Sequence, residues 1–351
     1  MISTVITLLA LGLVIFIHEL GHLLAAKYSG VGVYEFSIGM GPKLISRKYN
    51  DTEYSLRLFP IGGFVKLVGM DDQDNEQIDP EKDFHNKPLL NRFITISAGA
   101  IMNIIVGTLI FSLIAFLIGV ATPTNEIKSI LAESPAAKAG LKVSDRLFYK
   151  NSSEVSYIIS AINQSASKPI ALTIERGNSS FQVSITPKLD KDRKKGMIGI
   201  VFQIFNKKVN PLEAMAIGLK LSTFYIKNVF ITLSQLVRGG INFKHMAGPI
   251  GIIQMASAFL QQGLANFLNI MAIISVSLGI INLLPFPVLD GGHLLFLGIE
   301  FFRKKRLPEK TETVINNTGA AILIFLMSLI VLNDILNWKE RMILLKNITG
   351  L

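Results

Sequence analysis

The sequence predicts a polytopic α-helical membrane protein with about four spans, a membrane-associated β-hairpin and one small α/β domain between the second and third spans. Three observations carry this. Only 17% of the 351 residues are charged and 50% are hydrophobic, whereas soluble domains carry about 25% charged residues. The deficit is concentrated, because no Asp, Glu, Lys or Arg occurs in Met1–His18, Ile94–Asn125, His245–Leu289 or Thr313–Asn333. Each stretch is near or above the roughly 20 residues that cross a bilayer core as helix. Finally, basic residues flank the apolar stretches, as in loops held on the cytoplasmic side. A soluble single-domain enzyme is excluded.

The first span is expected over about Ser3–Ala26. It lacks a basic leader and a small-residue cleavage site, so it reads as a retained span, not a signal peptide. In the following segment, 27–90, Arg57–Met70 contains Pro60 and Gly62–Gly63 and reads as a β-hairpin close to the membrane. The second span is placed at about Asn91–Val120. Within 121–206, Ile127–Ile130, Leu147–Tyr149, Ala171–Glu175 and Phe181–Ile185 read as strands, the last two joined at Gly177–Asn178. Ser134–Leu141 and Val155–Asn163 read as short helices.

In 207–263, Glu213, Lys220 and Lys227 form a narrow polar stripe on an otherwise apolar helix. This places Pro211–Val237 along the membrane surface, the alternative being a fifth span with two lysines facing lipid. The third span begins near Leu264 and is interrupted by Pro285 and Pro287 within 264–302. The fourth covers about Val314–Asn333, after a loop that opens with Arg303, Lys304, Lys305 and Arg306. That cluster and the basic loop after the first span are expected in the cytoplasm, which sends both termini and the middle domain outside. Lys339, Arg341 and Lys346 in the tail oppose this weakly. The net charge of +10 and pI near 9.6 belong to these loops, and nucleic acid is not expected as a partner. With no cysteine in the chain, thiolate metal sites and disulfides are excluded.

His18, Glu19 and His22 form H-E-x-x-H inside the first span. Helical positions four apart share a face, so both imidazoles can reach one cation. Glu19 points aside, placed to hold a water beside the metal. Ionisable groups within a span are costly and functional by default. A catalytic zinc needs a third protein ligand, here His, Asp or Glu. Asp290 is the best candidate: it is the single charged residue between His245 and Ile299 and follows the two prolines. Broken backbone at membrane depth is tolerated only around a cavity or within protein.

With these residues the chain resembles the site-2 protease family of intramembrane zinc metalloproteases, in particular its bacterial PDZ-containing branch. Phe16–His22 is similar to the family's first signature, and Asn282–Gly291 (NLLPFPVLDG) to its N-x-x-P-x-P-x-L-D-G signature. Gly62–Met70 looks like the family's membrane-associated β-loop and Gly248–Pro249–Ile250 like an element before the third span. The resemblance implies that His18, His22 and Asp290 bind Zn2+ and that Glu19 is the general base. Asn282 would position substrate or stabilise the transition state. It further implies a bacterial inner-membrane enzyme cutting single-span substrates, such as anti-sigma factors already cut outside or leftover signal peptides, and an extracytoplasmic PDZ-like domain. His293 matches a residue often found after the second signature.

Two departures stand out. Ala98-Gly99-Ala100 replaces the usual Ala-Gly-Pro ahead of Asn103. The middle domain is PDZ-like at Ser134-Pro135-Ala136 and Ala139-Gly140-Leu141, but Ser144-Asp145 and Asn151-Ser152 replace the usual Gly-Asp and Asn-Gly. A steric filter needs less intact groove chemistry than a receptor. Rival readings are a membrane-anchored zincin acting on peptides at the surface, a catalytically silent PDZ scaffold, and a metal transporter. The depth of Glu19 in its span disfavours the first and the intact H-E-x-x-H and Asp290 set the second. The third lacks a second acidic residue in the other spans.

Overall fold

A computed structural model describes residues 2–70, 79–190, 195–240, 247–340 and 342–343. Arg341 and Lys346 of the tail, and 241–246 of the linker before the third span, lie outside the described residues. The chain divides into two units, one made of Met1–Ile114 with Pro211–Leu351 and the other of Ala115–Asn210.

The first unit is built on long apolar helices. Helix α1 (Ile2–Tyr28) and helix α2 (Leu89–Ile118) coincide with the first two expected spans. Helix α5 (Pro211–Val237) follows the middle unit, then α6 (Pro249–Gln261), α7 (Leu264–Asn282), α8 (Asp290–Arg303) and α9 (Glu309–Leu336). The third expected span is therefore α7, broken at the prolines before α8.

Among the described residues five helices are long and apolar enough to cross a membrane, one more than the sequence suggested. The addition is α5, expected to lie along the membrane surface. It crosses α2, where Ser222 and Thr108 share a hydrogen bond of 2.7 Å and Tyr225 stacks on Phe111. Its polar stripe lowers its hydropathy to 1.2, against 2.0–2.6 for the other four. That weak signal, set against exposed Lys220 and Lys227, is why the sequence alone separated it from them.

Small residues let these helices approach closely, which is how spans pack without a hydrophobic drive between them. A Cβ on Gly21 would meet the Ala98 carbonyl oxygen of α2 at 2.6 Å, and one on Gly279 the Ala100 carbonyl oxygen at 2.6 Å. Helix α6 carries the Gly248–Pro249 element at its start. Gly248 has no side chain to cap the helix, so Asp334 of α9 does it in trans, accepting from the Gly248 and Gly251 amides at 2.9 Å each.

Strands β1 (Val33–Tyr49) and β2 (Thr52–Leu67) are antiparallel. The expected hairpin within Arg57–Met70 is corrected here. Gly63–Leu67 does not pair with the residues just before it; it pairs with Val33–Ile38, which also pairs on its other side with Glu53–Leu56. The turn of the hairpin lies earlier, between Tyr49 and Thr52. The chain can bend β1 because Gly39 and Gly41 take positive φ of 85° and 87°. Glu35, near the centre, accepts from Ser55 Oγ (2.6 Å) and Arg57 Nη2 (2.7 Å). Burial pushes its carboxyl pKa up, but these partners and Lys43 outweigh that and hold it below the ordinary value.

The second unit is an α/β domain. It contains β3 (Val120–Ile130), α3 (Pro135–Lys138), β4 (Arg146–Phe148), α4 (Val155–Gln164), β5 (Ile170–Arg176), β6 (Ser179–Ile185), β7 (Lys188–Asp190), β8 (Lys195–Met197) and β9 (Ile200–Lys207). The expected Ile127–Ile130, Val155–Asn163, Ala171–Glu175 and Phe181–Ile185 fall within β3, α4, β5 and β6, Leu147–Tyr149 overlaps β4, and the expected helix Ser134–Leu141 shrinks to the single turn of α3. Five strands form one sheet in the order β6-β5-β4-β3-β9. Ser134 caps α3 by accepting from the Ala137 amide, and α4 buries Val155, Ile158, Ala161 and Ile162 against Leu147, Leu172 and Ile174.

Candidate metal centre

His18 and His22 lie on the buried face of α1, four residues apart, and Asp290 opens α8. Their donor atoms converge. His18 Nε2 and His22 Nε2 are 3.3 Å apart, and each is 3.4 Å from Asp290 Oδ2. Asp290 Oδ2 is buried and accepts no hydrogen bond among the described residues. Donors held 2.0–2.1 Å from a tetrahedral ion lie roughly 3.3–3.4 Å from one another. Two nitrogens and one carboxylate oxygen with this spacing therefore fit a single divalent cation. They are the one such group among the described residues.

Two of the three arms are held from behind. His22 Nδ1 lies 2.9 Å from the Thr95 carbonyl oxygen, which directs Nε2 into the site. Gly99 lies against the His22 ring, and a Cβ there would stand 2.2 Å from Nε2. Asp290 is delivered by the proline loop. Val288 takes φ 78°, a strained conformation for a β-branched residue. Gly291 and Gly292 let the loop fold onto the start of α8, since Cβ atoms there would meet the Leu284 carbonyl oxygen at 2.1 Å and that of Phe286 at 2.5 Å.

Glu19 is half-buried beside the histidines, and its carboxylate faces the Val65 backbone amide of β2. The nearby Gly63 could not carry a side chain: its Cβ would lie 2.6 Å from the Ser37 carbonyl oxygen and 3.4 Å from Glu19 Cγ. Asn282, the last residue of α7, brings its carboxamide to 3.2 Å from His18 Nε2. All five residues singled out from the sequence thus meet at one place. His293, one turn along α8 from Asp290, lines a polar cavity of about 490 Å³ with His85, Arg92, Glu300 and Arg306. Arg92 donates to both carboxylate oxygens of Glu300, at 2.9 and 2.6 Å.

Sequence reasoning missed Thr95 and Gly99, whose roles are a backbone carbonyl and an absent side chain. It also missed Asp334, just past the end of an uncharged stretch and therefore without a signal of its own.

The profile of peptidase family M50 matches residues 6–326. The chain is 34% identical to a protein of Clostridium acetobutylicum, provisionally named a zinc metalloprotease, over 95% of this chain and 97% of that one. It is 30% identical to the regulator of sigma-W protease RasP of Bacillus subtilis, over 95% and 98%. A further relative, zinc metalloprotease RasP of Bacillus licheniformis, is 29% identical over 95% and 99%. Matched over nearly its full length and carrying a buried His-His-Asp donor set, the chain belongs to peptidase family M50, the site-2 protease family.

Proposed function

We propose that the protein is a zinc-dependent endopeptidase that cuts single-span membrane proteins within the bilayer of a bacterial inner membrane. The observation that carries this is the convergence of Asp290 with His18 and His22, which lie with Glu19 on a helix apolar enough to span. Their spacing suits zinc, and the relatives named as zinc metalloproteases support that metal. When bound, zinc supplies Lewis acidity and a water whose pKa falls to about 7.

The chain's own residues do the rest. Glu19 takes the proton of the attacking water and later passes it to the leaving amine. Asn282, beside His18, orients the scissile carbonyl or stabilises its developing charge. The edge of Gly63–Leu67 that does not pair with Val33–Ile38 can take an unwound stretch of substrate, satisfying amides that would otherwise be stranded in the bilayer.

The middle α/β domain is read as PDZ-like and extracytoplasmic. It acts as a steric filter, so that substrates reach the centre only after their outer regions have been removed. The sigma-W role in one relative's name supports anti-sigma-factor-like substrates, and leftover signal peptides are the second class. Four crossings, by α1, α2, broken α7–α8 and α9, are retained, with α5 as a peripheral helix whose lysines reach the interface. The reading is tested by comparing membrane proteins and cleavage remnants in cells carrying wild type or Glu19→Gln. Uncut single-span proteins should accumulate in the variant, and identical fragment patterns would overturn the reading.

A further inference from the structure

Asn103, on α2, is fully buried, and both atoms of its carboxamide lack a hydrogen-bond partner among the described residues. Stranding a polar group in an apolar interior costs several kcal/mol, so a carboxamide serving as glue between helices would be bonded. Here the polar contact between α2 and α7 is made by backbone instead. Ser275 Oγ donates to the Asn103 carbonyl oxygen at 2.8 Å, and Gly279 packs near the Asn103 Cβ. The carboxamide is left over.

A second unpartnered group lies on α1. His22 Nδ1 is served by the Thr95 carbonyl, but His18 Nδ1 is buried with no hydrogen-bond partner among the described residues, and the His18 ring lies beside the Gly99 backbone. Thr95, Gly99 and Asn103 are four residues apart and form one stripe of α2. Thr95 serves His22, Gly99 faces His18, and Asn103 comes next. Side chains on a helix lean toward its N-terminus, which brings the Asn103 carboxamide back over the Gly99 turn.

We propose that Asn103 is a positioning residue for the metal centre: its carboxamide oxygen accepts the Nδ1–H of His18 through one bridging water. The water's partners are His18 Nδ1, the Asn103 carboxamide and the Gly99 carbonyl, enough to hold a buried water. Fixing the proton on Nδ1 leaves the Nε2 lone pair for the metal, as the Thr95 carbonyl does for His22. The inference rests on the proposed reading of His18 as a ligand.

The test measures zinc release from the purified full-length protein to a chromogenic chelator, with the melting temperature of the metal-free protein as the fold control. Asn103→Leu should release zinc roughly 10- to 100-fold faster than wild type, with an unchanged metal-free melting temperature. Asn103→Asp, which keeps an acceptor, should release it as slowly as wild type. Release from the leucine variant at the wild-type rate, or equally fast from both variants, would overturn the proposal. Should the leucine variant not fold, Asn103→Ala replaces it; fast release from alanine with slow release from aspartate supports the proposal, and any other order overturns it. His18→Ala separates the two readings. If it keeps its zinc, the ligand assignment fails; if it alone loses zinc, only the role of Asn103 fails.

Discussion

His18 and Asp290 stand near opposite ends of the chain, yet Nε2 of one and Oδ2 of the other are 3.4 Å apart. Two devices create that contact. Small residues bring α1, α2 and α7 together, and the proline loop, strained at Val288, delivers α8 with its first residue facing the histidines. Disturbing either should act on the metal before it acts on the fold.

Gly99→Ala tests the helix crossing. The added methyl would stand 2.2 Å from His22 Nε2, so the ring or the helix must move. Zinc affinity should fall by at least tenfold, as expected when a group orienting a ligand is displaced. Metal-loaded protein with wild-type zinc affinity would show that the crossing has slack.

Asn282→Ala should lower kcat by about 10²- to 10³-fold, the range for losing one preorganised donor, while zinc content stays at the wild-type level. Its carboxamide is near His18 but is not one of the three converging donors. A variant that loses zinc would move Asn282 from the reaction to the support of the metal.

The edge of Gly63–Leu67 turned away from Val33–Ile38 should take substrate as an added strand. Cleavage should then speed up with Gly or Pro near the cut site and slow with a run of leucines, since propensity differences of about 1 and 3 kcal/mol bias unwinding. Proline placed within Phe64–Val68 should slow cleavage and leave zinc bound. A rate series on one substrate of graded helicity, run with both enzymes, checks this; rates indifferent to helicity would remove the strand-addition step alone.

In the middle unit, Asp145 is fully buried and accepts from Arg176 Nε and Nη2 at 2.7 and 2.8 Å. The Arg176 guanidinium, and then the Lys142 amide, hold its carboxyl below the ordinary range against the effect of burial. A depressed carboxylate pKa adds stability that is present above the unfolded value, about 3.9, and is lost as pH falls through the folded one. Amide exchange in β4 and β5 of the full-length protein should therefore accelerate as pH drops below about 4, after correction for the intrinsic rate. Arg176→Met should remove that dependence and lower the stability of this unit, by less than the loss of a fully buried pair because the Arg176 side chain is 35% exposed.

The outer ends of β3 and β9 are paired, Val120 with Lys207. The segment between them can therefore be replaced by a short linker. The steric-filter reading predicts that this deletion lets intact substrates be cut early. Loss of all cleavage in a stably folded deletion would favour a receptor instead.

Much of this was legible in the sequence because the signals were chemical. H-E-x-x-H on an apolar helix and a lone aspartate after two prolines are costly at membrane depth, so they point to a site without any knowledge of packing. The strands and helices of the middle unit carried ordinary alternation and turn residues. The hairpin was misjudged because strand pairing is non-local: Gly62–Gly63 resembles a tight turn, but the partner of Gly63–Leu67 is Val33–Ile38, and the bends at Gly39 and Gly41 give no periodic signal. Helix α5 is long and apolar enough to cross, yet its lysines form the stripe of an interfacial helix, so its sequence carries both signals. Thr95, Asn103 and Asp334 were invisible as supports because their roles depend on which helix faces them.

The most direct measurement is zinc content per chain in purified protein, paired with cleavage of one membrane substrate. About one zinc per chain is expected in wild type and Glu19→Gln, little in His22→Ala and Asp290→Ala, and no cleavage by any of the three variants. A full complement of zinc in Asp290→Ala, or cleavage at the wild-type rate by Glu19→Gln, would contradict this expectation.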